Sequence, residues 1–225
     1  MTPFLLSKEI CFPHPRLADA HGLLAVGGDL CESRLLLAYR TGIFPWYSEG
    51  EPLLWWSPDP RLVLLPADLH VSRKLKRTID KGTFELTFDT AFKEVVAGCA
   101  ARRTKSRSTW IVPEMAKAYQ RLHDIGIAHS VEAWQEGALA GGLYGVSLGG
   151  CFFGESMFSK ISNASKVALW ALVEFLKMRN FDLLDCQVTS EHLVQLGAKE
   201  IPRTIFLANL ARSMKKPTLS GKWNS

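Results

Sequence analysis

Long apolar runs are missing from this chain of 225 residues. The longest, Leu62 to Leu65 and Val167 to Val173 among them, fall far short of the roughly 20 residues that cross a bilayer. No Cys-x-x-Cys occurs, and no two histidines stand at metal-ligand spacing. The five cysteines (Cys11, Cys31, Cys99, Cys151, Cys186) are odd in number and scattered. Reduced thiols in a cytoplasmic protein are the expectation. Met1 to Cys11 shows neither the charged start nor the apolar stretch of a signal peptide. Repeats and low-complexity tracts are also lacking. These absences point away from a membrane protein, a disulfide scaffold and a zinc module, and no metal or cofactor is called for.

What is present is charge of one sign in one place. The net charge is +5. Between His70 and Arg107 stand ten lysines and arginines against four acids, so this segment alone carries +6. From Ser108 to Glu200 the balance reverses to −3. A field of that shape suits a polyanion at one face and a cation at another, although a charge run is as often a plain solvated helix face.

The first sixty residues are rich in glycine, proline and tryptophan. Glu32 to Arg40 reads as a short helix with Leu35, Leu36 and Tyr39 inward, stopped by Gly42. Ile43-Phe-Pro-Trp-Tyr47 and Trp55-Trp-Ser-Pro-Asp-Pro-Arg61 read as proline-locked aromatic loops, with Trp55 and Trp56 filling an interface. A boundary then divides residues 1–61 from residues 62–225. The second part begins with a strand at Leu62 to Leu65 and a helix from Ser72 to Asp80. A strand from Phe84 to Phe88 follows, and Asp89 caps a helix reaching Ala101. Pro113 opens a helix that Gly126 closes. Three strands follow, Ala128 to Gln135, Leu139 to Ser147 and Cys151 to Met157, joined at Glu136-Gly137 and Gly149-Gly150. A helix from Asn163 to Met178, a strand from Asp182 to Val188 and a last helix from Thr204 to Lys215 complete an α+β pattern, a mixed sheet with helices packed on it.

The residues that carry chemistry are concentrated. Phe153-Gly-Glu-Ser-Met-Phe-Ser159, Asn163-Ala-Ser-Lys166 and Leu184-Asp-Cys-Gln-Val188 set the carboxylates of Glu155 and Asp185 and the carboxamide of Gln187 among apolar side chains. Buried carboxylates need partners, so such motifs suggest a site. Together with Gly22-Leu-Leu-Ala-Val-Gly-Gly-Asp-Leu30, Gly42-Ile-Phe-Pro-Trp46, Trp55 to Arg61 and Leu196-Gly-Ala198, these blocks resemble the leucyl/phenylalanyl-tRNA–protein transferases in composition and order, over nearly the whole chain. The resemblance implies a small N-terminal domain and a larger one like the GCN5-related N-acetyltransferases. It also implies a bacterial cytoplasmic enzyme, expected as a monomer, that moves Leu, Phe and less readily Met from aminoacyl-tRNA to proteins with an N-terminal Arg or Lys, marking them for degradation.

The resemblance maps the catalytic positions onto Asp185 and Gln187, with Glu155 as a third polar residue. Two apart on a strand, Asp185 and Gln187 are expected on one face. Gln187 then accepts a hydrogen bond from the incoming amine while Asp185 fixes its flip, or takes the proton directly or through water. Glu155 is expected to share a face with Phe153 and Met157, either against an amino group or paired with Lys166. By resemblance Leu143, Met157, Leu169 and Leu172 line the pocket for the carried side chain; Leu143 and Leu172 stand where the family pattern has a methionine and a phenylalanine. Leu169 and Leu172 also stand at ordinary core spacing. Phe44, Trp46 and Trp110 are the aromatic candidates for the terminal adenosine, a use that needs an exposed ring. Arg73, Lys74, Lys76 and Arg77, with Arg102, Arg103, Lys105 and Arg107, can track a phosphate backbone.

Two other readings compete. An acyl-coenzyme A N-acyltransferase on the same fold needs a glycine-rich loop before a helix to cradle pyrophosphate, and Ser162 to Lys166 offers no Gly-x-Gly. A noncatalytic tRNA-binding protein needs the basic face but has no use for Glu155, Asp185 and Gln187 together.

Overall fold

The computed structural model describes residues 2–101 and 111–224. A small sheet opens the chain, from β1 (Phe4–Leu6) and β2 (Leu23–Gly27) through α1 (Glu32–Arg40) to β3 (Phe44–Pro45) and β4 (Leu54–Trp56). Its strand order is β1-β2-β4-β3. Leu35 and Tyr39 of α1 are fully buried, as the apolar spacing requires. Trp55 is buried too, with its indole N–H given to the Gly27 carbonyl at 2.9 Å.

The larger sheet follows. Its elements are β5 (Arg61–Leu64), α2 (Arg73–Asp80), β6 (Glu85–Phe88), α3 (Phe92–Ala100), α4 (Pro113–Asp124), β7 (Ala128–Gln135), β8 (Ala138–Leu148) and β9 (Cys151–Ser159). After them come α5 (Ala164–Met178), β10 (Leu183–Gln187), α6 (Glu191–Gln195), β11 (Lys199–Ile201) and α7 (Arg203–Ser213). The strand order is β11-β5-β10-β9-β8-β7-β6. β6 to β9 run antiparallel to one another, and the β9–β10 pair is parallel. The β7–β8 turn has φ of 52° at Glu136 and 75° at Gly137, the left-handed pair that a tight hairpin favours.

Strand alternation splits the apolar residues into two cores. Val63, Phe153 and Leu183 face α1, α3, α4 and the small sheet; Leu62, Phe152 and Leu184 face α5 and α2. The small sheet therefore shares its core with one face of the large one. α5 is apolar nearly all round, because it lies between the sheet and α2. Trp223 seals the second core from the C-terminal tail, stacked on His129 at 3.8 Å.

One expected cap is not a cap. α3 begins after Ala91, and the Asp89 carboxylate turns elsewhere. It receives the Ser130 N–H at 2.9 Å and the Trp223 N–H at 2.7 Å, and lies 2.8 Å from His129 Nδ1. A ligand from the far end of the chain outcompetes the local helix.

Candidate active site

Two irregularities in the sheet build the site. β9 and β10 pair through Asp185↔Phe153 and no further. Opposite β8, the register of β9 shifts so that Glu155 is an extra residue between Gly154 and Ser156. Opposite β5, the register of β10 shifts so that Cys186 is the extra residue. Gln187 then sits at φ 64°. Such bulges bend strands and re-aim side chains. A side chain on Gly145 would collide with the Phe153 carbonyl, so glycine permits the β9 bulge. Where the strands part, a cavity of about 720 Å³ opens between them and α5.

The bulge at Glu155 overturns the expected period of two. Phe153 faces the first core, whereas Met157 turns to the second, beside the cavity. Glu155, at the point of inversion, borders the cavity but sends both carboxyl oxygens inward. The Tyr39 hydroxyl lies 2.8 Å from its Oε1 and the Tyr119 hydroxyl 2.5 Å from its Oε2. Gln187 Nε2 donates to Oε1 at 2.9 Å. The two tyrosine oxygens are 2.7 Å apart. Burial pushes the Glu155 carboxyl up to about 7 against the pull of these hydrogen bonds, and the charge on Asp185 adds to the rise. Burial likewise lifts the Tyr39 and Tyr119 hydroxyls well above the usual phenol range, with Glu155 adding to it.

Asp185 does not reach the Gln187 carboxamide. It is fully buried and held bidentate by Arg61, Nε to Oδ1 at 2.8 Å and Nη2 to Oδ2 at 2.7 Å. Its contact with Gln187 is through that residue's backbone N–H, at 3.0 Å. The orientation of the carboxamide is set by Glu155, not by Asp185. Since its nitrogen is committed to Glu155, its oxygen is turned the other way. The Arg61 guanidinium lies over Phe44 at 4.8 Å and Phe206 at 4.5 Å, stacked as a weakly hydrated cation prefers.

Leu143, Met157, Leu169 and Leu172 all line the cavity, with Phe152, Leu184 and Cys186. Trp46 stands at its edge, 41% exposed, with Trp56 beside it at 6.0 Å between ring centres. Phe44 also borders the cavity, but only 2% of its surface is open, because its ring serves Arg61. It lacks the free face that stacking a base requires. Lys166 and His192 lie on the cavity wall, and Glu155 is held by tyrosines in place of Lys166. Arg73, Lys74, Lys76 and Arg77 are exposed on α2, away from the cavity lining. Trp110, Arg102, Arg103, Lys105 and Arg107 lie outside the described residues.

Sequence reading passed over Arg61, Tyr39 and Tyr119. Arg61 closes the Trp-Trp-Ser-Pro-Asp-Pro-Arg block, and an arginine opening an apolar strand is the signal that a buried acid awaits it. Tyr39 reads as packing, but a buried phenol needs a hydrogen-bond partner, and that need is the signal.

The family comparison decides what this geometry belongs to. The model described as "Leucyl/phenylalanyl-tRNA protein transferase" matches residues 63–211, and that of its N-terminal domain matches residues 28–59. The chain belongs to the leucyl/phenylalanyl-tRNA–protein transferase family. Curated relatives bearing that name agree along the full length. One from Desulfatibacillum aliphaticivorans is 61% identical over 225 residues, 100% of this chain and 97% of the relative. One from Anaeromyxobacter sp. (strain Fw109-5) is 59% identical, covering 100% of this chain and 96% of the relative. One from Myxococcus xanthus (strain DK1622) is 55% identical, covering 99% and 97%. Among solved structures, L-PGS from Bacillus licheniformis overlaps with a TM-score of 0.39 at 10% identity, over 74% of this chain and 53% of that one. A GCN5-related N-acetyltransferase from Kribbella flavida overlaps at 0.34 and 13%, over 73% and 59%. Overlaps this loose add nothing to the assignment. In this transferase-family chain, no described helix is long and apolar enough to cross a membrane.

Proposed function

We propose that the protein transfers Leu or Phe, and less readily Met, from aminoacyl-tRNA to the α-amine of proteins that begin with Arg or Lys. We take it to act in the cytoplasm as a monomer, with residues 1–61 as the small domain and 62–225 as the catalytic one. The product is then a protein marked for degradation.

The reaction is aminolysis of an ester. A neutral amine attacks the ester carbonyl, the N–C bond forms, and the bond to the ribose oxygen breaks. The proton lost by the amine ends on that oxygen. An aminoacyl ester is already activated, so holding amine and ester in line is the main requirement. Alignment alone can lower the barrier by roughly 7–11 kcal/mol. In this reading the apolar wall of Leu143, Met157, Leu169 and Leu172 grips the esterified side chain. The carboxamide oxygen of Gln187 accepts a hydrogen bond from the amine and orients its lone pair. Asp185 and Arg61 act at one remove, fixing the β10 bulge that aims Gln187. Trp46 offers a ring face to the terminal adenosine, and α2 with the basic segment after it attracts phosphates.

The observation that supports this most directly is the Glu155–Gln187 hydrogen bond on the wall of the cavity, a polar pair beside the apolar side chains of Leu143, Met157, Leu169 and Leu172. The test is transfer of labelled Leu from charged tRNA to a peptide beginning with Arg. The peptide should be labelled, and the same peptide with an acetylated N-terminus should not. No labelling of either, with stabilisation of the protein by acetyl-coenzyme A instead, would replace this reading with the acyltransferase one.

A further inference from the structure

We propose that Glu155, Tyr39 and Tyr119 form a closed ring of three hydrogen bonds in which Glu155 works as an uncharged acid, so that the incoming amine meets no carboxylate beside Gln187. The role given to the amine rests on the transferase reading above; the ring itself does not.

The argument is a count of protons. Three oxygen–oxygen contacts close the triangle, at 2.8, 2.5 and 2.7 Å. Each is of hydrogen-bond length and needs one proton between its oxygens. Two tyrosine hydroxyls supply two protons, and a carboxylate supplies none. With Glu155 ionised, one contact sets lone pair against lone pair. With Glu155 protonated on Oε2, every contact is filled. Oε2–H donates to Tyr119, Tyr119 O–H to Tyr39, and Tyr39 O–H to Oε1. Gln187 Nε2–H completes the bonding at Oε1, as the structure shows.

The surroundings favour the same state. Around Glu155 stand Tyr39 from α1, Tyr119 from α4, Tyr144 from β8, and Gln187 and Asp185 from β10, with Cys99 of α3 behind Tyr144. The Tyr144 hydroxyl has no hydrogen-bond partner among the described residues. Arg61, the cation of the neighbouring strand, is taken up bidentate by Asp185. Lys166 and His192 line the cavity, but neither is among the three partners of Glu155. The carboxyl's rise to about 7 agrees with the count.

The chemical use follows. Only a neutral amine is a nucleophile, and a carboxylate one hydrogen bond behind Gln187 would favour the acceptor's ammonium form through its field. A neutral ring leaves the Gln187 oxygen, turned away from Glu155, to accept the amine's hydrogen bond. Tyr39 and Tyr119 are then positioning residues, since they act through Glu155.

Glu155→Gln separates the alternatives, because its amide reproduces the neutral pattern: N–H to Tyr119, oxygen toward Tyr39 and Gln187. Single-turnover transfer by this variant should be at least about tenfold faster than by Glu155→Leu, roughly the effect of losing one positioned hydrogen bond. Above pH about 7 the wild-type rate should fall relative to that of this variant, while both keep the rise set by the acceptor amine's own titration. A Glu155→Gln variant as slow as Glu155→Leu overturns the proposal. The second readout needs no tRNA. The infrared difference between wild type and Glu155→Gln should hold a protonated-carboxyl band below pH about 7 that fades above it. In Tyr39→Phe, with one donor to Oε1 removed, that band should move to higher frequency. Absence of the band overturns the ring. Its presence without transfer by any of the proteins supports the ring and strikes the transferase reading alone.

Discussion

Arg61 and Asp185 meet face to face, two N–H groups on two carboxylate oxygens at 2.8 and 2.7 Å, both side chains closed to solvent. The pair joins β5 to β10 at the residue before the bulge that aims Gln187. Removing one partner strands the other charge in the interior, which costs about 3–5 kcal/mol. Asp185→Asn and Arg61→Met should each lower the unfolding free energy read from urea denaturation by that order, and each should slow transfer through loss of Gln187 alignment. The double replacement should cost less than the sum of the two. Strictly additive losses would mean that the pair does not act as a unit.

Gln187→Ala should reduce single-turnover transfer by about 10²–10³, the loss typical of one preorganised hydrogen-bonding group at the reacting atoms. Affinity for aminoacyl-tRNA should hold, because the carboxamide contacts the amine. A rate within threefold of wild type would remove Gln187 from the chemistry.

Glu155 makes stability depend on pH in a direction opposite to most acids. Its carboxyl rises from 4.5 to about 7 on folding. Between those values the folded protein holds a proton that the unfolded chain has released. The group's contribution is therefore complete below pH about 4.5 and is lost as pH climbs through about 7. The difference is about 3 kcal/mol at most, less to the extent that water in the cavity reaches the group. Urea midpoints of wild type should fall relative to those of Glu155→Gln between pH about 5 and about 8. Parallel curves would show that Glu155 titrates as an ordinary surface acid.

Met157→Ala should enlarge the slot between Leu143 and α5. Transfer of Phe should gain on transfer of Leu, by about tenfold, since a methylene or two in an apolar pocket is worth about 1–3 kcal/mol. Competition between the two charged tRNAs measures the ratio; an unaltered ratio would place the carried side chain elsewhere.

Neutralising Arg73, Lys74, Lys76 and Arg77 together should weaken tRNA binding and flatten its dependence on salt, since each phosphate contact adds roughly 0.9 to the logarithmic slope. An unaltered slope would assign the basic face of α2 to solvent.

Much of the scaffold is legible along the chain because its cues are local. Glu136-Gly137 fixes a hairpin, alternation marks β7 to β9, and an unbroken apolar stretch marks α5. The bulges are not legible that way. A period of two assumes no inserted residue, so the face that Glu155 was to share with Met157 and the partner assigned to Asp185 both failed at the insertion. Asp89 failed as a cap for a related reason, since its ligand at Trp223 is far away in sequence. The four apolar wall residues came from resemblance, and all four line one cavity. Phe44 shows the limit of an aromatic motif read without its neighbours, because nothing in Phe-Pro-Trp announces that Arg61 covers one ring and leaves the other open.

The shared core carries a lesson about inheritance. One oxygen of the triangle around Glu155 rides on α1, within the small sheet's segment, and the cation that steadies Asp185 sits where the two sheets meet. The leading sixty residues are thus an organ of the proposed catalytic wall, and a graft that exchanged them for a foreign counterpart would have to bring a phenol to the same spot.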